Sequence, residues 1–217
     1  MNKQSWYKTY KTMQKHSDWN WKRDLKTVPI ALSLLSPSTS FSAEKDNQNV
    51  ITQKLNSTVS LNSAADFIAP FEGGHKLKAY KDSHNIWTIG VGFNLERKDA
   101  DQMLKSVGAP TKNEIINNKK QITLDQSKKI FNKTVEEAFK NAQRWMPNLQ
   151  EHPEIVQKIC IDLSFNLGPT KLSNFKNTQS LIFQKKYKEA AKELAKSRWA
   201  SQTGQRASHH IQVLNNL

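Results

Sequence analysis

Glu72, Asp82 and Thr88 are the residues of this 217-residue chain whose types and order could do chemistry together. A glutamic acid can hand a proton to a leaving oxygen. A second carboxylate can activate the attacking water or stabilise the oxocarbenium ion, and breaking a glycosidic bond usually uses this division of labour. Apolar Phe71 and the stretch after Glu72 would favour the protonated carboxyl that such an acid requires. By itself the pair is unspecific, since almost any domain holds a Glu and an Asp ten residues apart.

The elements that must position these side chains come next. Ser63 is expected to cap a helix carrying Phe67, Ile68 and Phe71, with Asp66 three residues on. Gly73-Gly74 should end that helix, and Pro70 should distort its last turn. Leu77–Lys81 and Ile86–Gly92 read as short strands, with turn chemistry at Asp82-Ser-His-Asn85 between them. Beyond Lys98 the pattern is helical. Thr123-Leu-Asp-Gln126 is a capping box opening a helix through Ile130, Val135, Ala138 and Phe139. Pro153 is expected in the first turn of another helix that ends at Gly168-Pro169. Ile155–Leu167 is apolar on more than one face, as a buried central helix should be. Helices over Tyr187–Trp199 and Gln205–Leu214 follow. The predicted class is α+β, with a small N-terminal hairpin sheet lobe and a larger C-terminal helical lobe.

Composition bounds the partners. The net charge is +14, and from Leu61 to Leu217 there are 24 basic residues against 15 acidic ones. Because the charges are spread along the chain, they suit an anionic polymer met by a broadly basic surface, and a nucleic-acid partner is not expected. Cys160 is the one cysteine, which excludes an intrachain disulfide and a cysteine-pair zinc site. Among Ile159, Ile161 and Leu163 it reads as a buried small hydrophobe. Trp199, at helical spacing from Ala195 and Ala191, reads as core.

The N-terminal sixty residues are of another kind. Met1–Lys26 is basic, Val28–Leu35 is apolar, and Ser40-Phe41-Ser42 offers a small-x-small site, the pattern of a secretory signal. The apolar run is too short to span a bilayer. Pro29 within it, and the length of the basic part, fit the alternative of a basic tail whose Trp6, Trp19 and Trp21 grip a partner. Glu44–Ser60 reads as a polar linker. The expected division is therefore 1–60, an extension with a signal-like segment over about 1–42, and 61–217, a catalytic domain.

Three ordered stretches resemble the phage-type lysozyme family. Phe71-Glu-Gly-Gly-His-Lys-Leu-Lys-Ala-Tyr-Lys-Asp-Ser-His-Asn-Ile-Trp-Thr-Ile-Gly-Val-Gly92 is similar to its catalytic segment. Asp162-Leu-Ser-Phe-Asn-Leu-Gly168 with Phe175-Lys-Asn-Thr178 is similar to its central helix and the exit into the cleft. Ala190-Ala-Lys-Glu-Leu-Ala-Lys-Ser-Arg-Trp199 with Gln202-Thr-Gly-Gln-Arg206-Ala207 is similar to its C-terminal signature. Together they reach over roughly Ala64–Leu214.

The resemblance implies a lysozyme-like fold with its cleft between the two lobes. It implies hydrolysis of the bond between N-acetylmuramic acid and N-acetylglucosamine in bacterial peptidoglycan, with no cofactor and no metal. Glu72 would be the general acid, and Asp82 with Thr88 would hold the attacking water, giving inversion at the anomeric carbon. Arg206 matches the arginine that pairs with the catalytic glutamate near the cleft, and with Phe165, Asn166 and Thr178, which match groove positions, it is expected to bind the saccharide. A monomer is expected, exported to the periplasm or beyond, or held in a host cytoplasm until release.

Two departures stand out. Glu72 and Asp82 are one residue further apart than the family pattern has them, and Gly73-Gly74 is expected to absorb the extra residue, leaving Leu77–Asp82 in register. Phe93 stands where many relatives carry a histidine, a change expected to bear on stability. The rival readings are a lytic transglycosylase, against which retention of Asp82 and Thr88 argues, and an inactive wall-binding module.

Overall fold

The structure, a computed structural model, describes residues 59–217. The expected signal segment and all but the last two residues of the expected linker lie outside the described residues. Those two belong to the fold. Val59 is buried and its amide donates to Gln157 Oε1 at 3.2 Å. Ser60, not Ser63, caps helix α1 (Leu61–Ile68), because its extended backbone lets Oγ accept from the Ser63 amide. Ser63 donates instead to Glu154 Oε1 at 2.8 Å.

Pro70 breaks the helical hydrogen-bonding pattern as expected, and the chain tightens into a 3-10 turn over Ala69–Phe71 that ends at Glu72. Gly73 and Gly74 then take φ of +70° and +89°, which turns the chain into the sheet. Strands β1 (Lys76–Lys81), β2 (Trp87–Gly90) and β3 (Phe93–Asn94) form an antiparallel sheet in that order. The second expected strand is shorter than predicted, since Gly90 and Gly92 both adopt positive φ and redirect the chain into β3.

The expectation of an uninterrupted register in β1 is corrected. Lys76 pairs with Gly90, and Tyr80 pairs with Thr88, so four steps along β1 oppose two along β2. The bulge lies between Lys76 and Tyr80, and regular pairing holds only at Tyr80 and Lys81.

One face of the sheet, carrying Leu77, Ala79, Ile89 and Phe93, packs on an apolar cluster with Leu95, Leu104 and Ile115. Helices α2 (Ala100–Ser106) and α3 (Lys112–Ile116) cover it. Phe93 is buried there with the Arg97 guanidinium over its ring, so an apolar side chain at this position is core.

The capping box predicted at Thr123 and Gln126 is present and opens α4 (Leu124–Trp145). This helix joins both cores, with Ile130 in the sheet-side cluster and Phe131, Val135, Ala138 and Ala142 in the helical one. Helix α5 (Glu154–Leu172) runs through the larger cluster and is kinked where Gly168 takes φ +67° ahead of Pro169. Pro153 is its cap rather than a residue of its first turn, and its carbonyl accepts from the Val156 and Gln157 amides. Cys160 is buried as predicted, and burial pushes its thiol up to about 12.

Helices α6 (Lys176–Phe183), α7 (Tyr187–Ala195), α8 (Arg198–Thr203) and α9 (Gln205–Asn215) complete the bundle. The single helix expected over Tyr187–Trp199 is two, because the Ser197 hydroxyl accepts from the Ala200 amide and starts α8. Trp199 is buried in the core. The fold is α+β, mostly helical with one small sheet. Among the described residues, no helix is long and apolar enough to cross a membrane.

Candidate active site

A cleft of about 1340 Å³ is lined from the sheet side by Glu72, Tyr80, Asp82 and Thr88, and from the helical side by Phe165, Asn166 and Thr178 among others. Six of the seven residues singled out in the sequence therefore meet on one surface. Alternation along the strands explains the sheet side. With Leu77, Ala79 and Ile89 committed to the core, the paired residues Tyr80 and Thr88 face the opposite way.

Glu72 ends the 3-10 turn, and its side chain retains 14% exposure. Oε1 accepts from Arg206 Nη2 at 2.7 Å, and the guanidinium lies 5.1 Å from the Phe71 ring centre. Burial raises the Glu72 pKa and outweighs the opposing charge and hydrogen bond of Arg206, with Asp162 adding to the rise. Its other oxygen lies against Gly92, where a Cβ would stand 2.6 Å from Oε2. The second glycine of the Thr-Ile-Gly-x-Gly stretch is thus required by the carboxyl as well as by its φ of +71°.

Asp82 opens the hairpin turn. Its Oδ1 accepts from the amides of His84 and Ile86 at 2.8 and 2.9 Å, an Asx-type arrangement that holds the carboxylate at the cleft. The Thr88 hydroxyl donates to the Ile86 carbonyl at 3.2 Å, so the turn also orients this side chain. The Tyr80 phenol, on the same cleft wall, is raised above its ordinary value by burial and then by the charges of Glu72 and Asp82.

On the helical side, Asn166 Oδ1 accepts from Trp199 Nε1 at 2.7 Å, and Phe165 packs edge-on against Phe131 with ring centres 5.8 Å apart. Thr178 is almost fully buried on α6. Arg206 is the exception to the groove assignment: it is 6% exposed and lies behind Glu72 rather than lining the cleft. Its guanidinium is taken up by Asp162, with Nε donating to Oδ2 at 2.9 Å and Nη2 to Oδ1 at 2.8 Å.

Sequence reasoning missed Gly92, Tyr80, Asp162 and His210 as parts of this site. Asp162 had a signal, because a charge inside the apolar run Ile155–Leu167 demands a buried partner. His210 had a fainter one, four residues after Arg206 and so on the same helix face.

The fold and the cleft define a glycoside-cleaving enzyme of the lysozyme type. Residues 70–213 match the phage lysozyme family, and the chain belongs to that family. It is similar to "Probable T4-type lysozyme 1" of Dictyostelium discoideum, 30% identical over 156 residues, which are 66% of this chain and 89% of the relative. It is also 29% identical over 153 residues to "Probable T4-type lysozyme 2" of the same organism, covering 66% of this chain and 88% of that one. The chain is accordingly a glycoside hydrolase with peptidoglycan as its substrate.

Proposed function

We propose that the enzyme hydrolyses the β-1,4 bond between N-acetylmuramic acid and N-acetylglucosamine with inversion. Glu72 gives its proton to the glycosidic oxygen as the bond to the anomeric carbon breaks. A water held by Asp82 and Thr88 attacks that carbon from the opposite face, forms the new C–O bond and passes its proton to Asp82. Phe165, Asn166 and Thr178 line the groove for the saccharide, and Arg206 acts on Glu72 rather than on the sugar. The observation that carries this reading is a buried Glu72, its pKa raised by that burial, sharing one cleft with a turn-anchored Asp82.

The test is release of soluble fragments from peptidoglycan by the wild type and by Glu72→Gln. The substitution should lower kcat by roughly 10²–10⁴-fold, the usual contribution of a general acid. NMR of the first product should show the α-anomer at the new reducing end. The β-anomer would overturn inversion, an anhydro sugar would make the enzyme a lytic transglycosylase, and an inert wild type would leave a wall-binding module.

The same reading takes residues 61–217, with the short lead of Val59 and Ser60, as a monomeric catalytic unit exported by the N-terminal segment. N-terminal sequencing of protein from cell fractions tests the export and its cleavage site near Ser42.

A further inference from the structure

The ion network behind Glu72 does not stop at Arg206. Asp162 on α5 and His210 on α9 are both fully buried, and His210 Nε2 meets Asp162 Oδ2 at 2.6 Å. The His210 ring is stacked on Phe67 at 5.6 Å, tilted on Trp199 at 5.8 Å and edge-on to Phe71 at 5.9 Å, so it has little freedom to turn. The imidazole thereby fixes the carboxylate, and the carboxylate holds the guanidinium through two hydrogen bonds. Nη2, one of the two nitrogens so held, is also the one that reaches Glu72.

We propose that Asp162 and His210 are positioning residues for the hydrolysis, a buried pair that clamps Arg206 and balances its charge so that Glu72 stays in the cleft with its proton. The inference rests on Glu72 being the acid. A guanidinium 2.7 Å from a carboxyl would, uncompensated, draw it towards the anion and empty it of the proton it must deliver. The anionic Asp162 opposes that pull, and it stays anionic because, although burial works against the charge, the bonds and charges of His210 and Arg206 outweigh it.

The other titratable groups around this network are Tyr80 and Asp82, which line the same cleft, and His209 on α9, which packs against Phe71. His209 is lowered to about 4 by burial and by His210, so it adds no charge near neutral pH. Tyr80, raised above its ordinary value, adds none either. The charges that act on Glu72 are those of Arg206 and Asp162, and Asp82 is not among them.

The experiment compares Asp162→Asn, His210→Phe and His210→Gln with the wild type, reading two quantities. These are the titration of the Glu72 side chain by ¹³C NMR, assigned with Glu72→Gln, and kcat and KM on peptidoglycan against pH. In Asp162→Asn the Glu72 midpoint and the alkaline limb of kcat should both fall by about one pH unit. That means about a tenfold loss of kcat on the alkaline side with KM little changed. His210→Phe should lower kcat at constant KM, and His210→Gln, which keeps a donor for Asp162, should restore most of the loss.

An unchanged Glu72 titration in a folded Asp162→Asn protein, with only its melting temperature lowered, would overturn the proposal. If Asp162→Asn does not fold, the histidine variants decide: equal kcat for Phe and Gln, with Glu72 titrating as in the wild type, overturns it. An inactive wild type would instead remove the reading of Glu72 as the acid, and the titration would still judge whether the pair governs its proton.

Discussion

At Glu72 two influences act on one carboxyl group, and their order decides what the residue can do. Burial favours the neutral form and wins over the guanidinium beside it. Because the folded value is raised, the stabilisation from this group is complete at pH below the unfolded value and is lost as pH rises through the folded one. Asp162 has the opposite sign: its lowered value gives stability above the unfolded range that disappears as acid reaches the folded value. His209, at about 4 against an ordinary 6.5, sets the clearest window. Between those values the unfolded chain binds a proton that the folded chain refuses, so stability should fall as pH drops from 6.5 to 4. Urea midpoints taken across that range should show the decline, and His209→Phe should flatten it.

At the scale of elements, the turn from the 3-10 segment into β1 and the turn from β2 into β3 each hold a glycine at positive φ, and the two allow separate demands to be tested. Gly73 has open space around a would-be Cβ, so Gly73→Ala meets only the strain of its φ of +70°, a cost of about 1 kcal/mol. Gly92→Ala adds the same kind of strain but also drives a methyl into Glu72 Oε2. The carboxyl can swing away, so the loss should appear in activity rather than mainly in folding, on the order of 10²-fold in kcat. Denaturation and turnover measured on both variants should separate them. Equal activity would show that Glu72 tolerates displacement.

For the molecule as a whole, α4 is the element that couples the two cores. Phe131 fills the helical cluster and supports Phe165 at the cleft wall, so Phe131→Ala should cost about 3–5 kcal/mol in denaturant unfolding and weaken substrate binding as well. The charge excess acts at the same scale. With 24 basic residues against 15 acidic ones from Leu61 to Leu217, attraction to an anionic wall should be long-ranged and screened by salt. Activity on peptidoglycan should therefore drop as sodium chloride rises from about 0.01 to 0.3 M, a range over which the Debye length falls severalfold. A flat salt response would assign recognition to contacts inside the cleft alone.

What the sequence by itself determined was much of what is held within a few residues. The Thr123 capping box, the Asp82 turn and the Pro70 distortion all close over short stretches of chain. The family motifs added the order in which such pieces recur. Only the tertiary structure decided how distant pieces meet. It gave the Ser63 hydroxyl, expected to cap α1, to Glu154, 91 residues away, and showed the bulge in β1. It withdrew Arg206 from the groove and brought Asp162 and His210, 48 residues apart, behind the acid. The physical reason is the same in each case. A turn or cap is decided by its own backbone amides, whereas burial, charge balance and close approach depend on which remote side chains the packed core delivers to the same place.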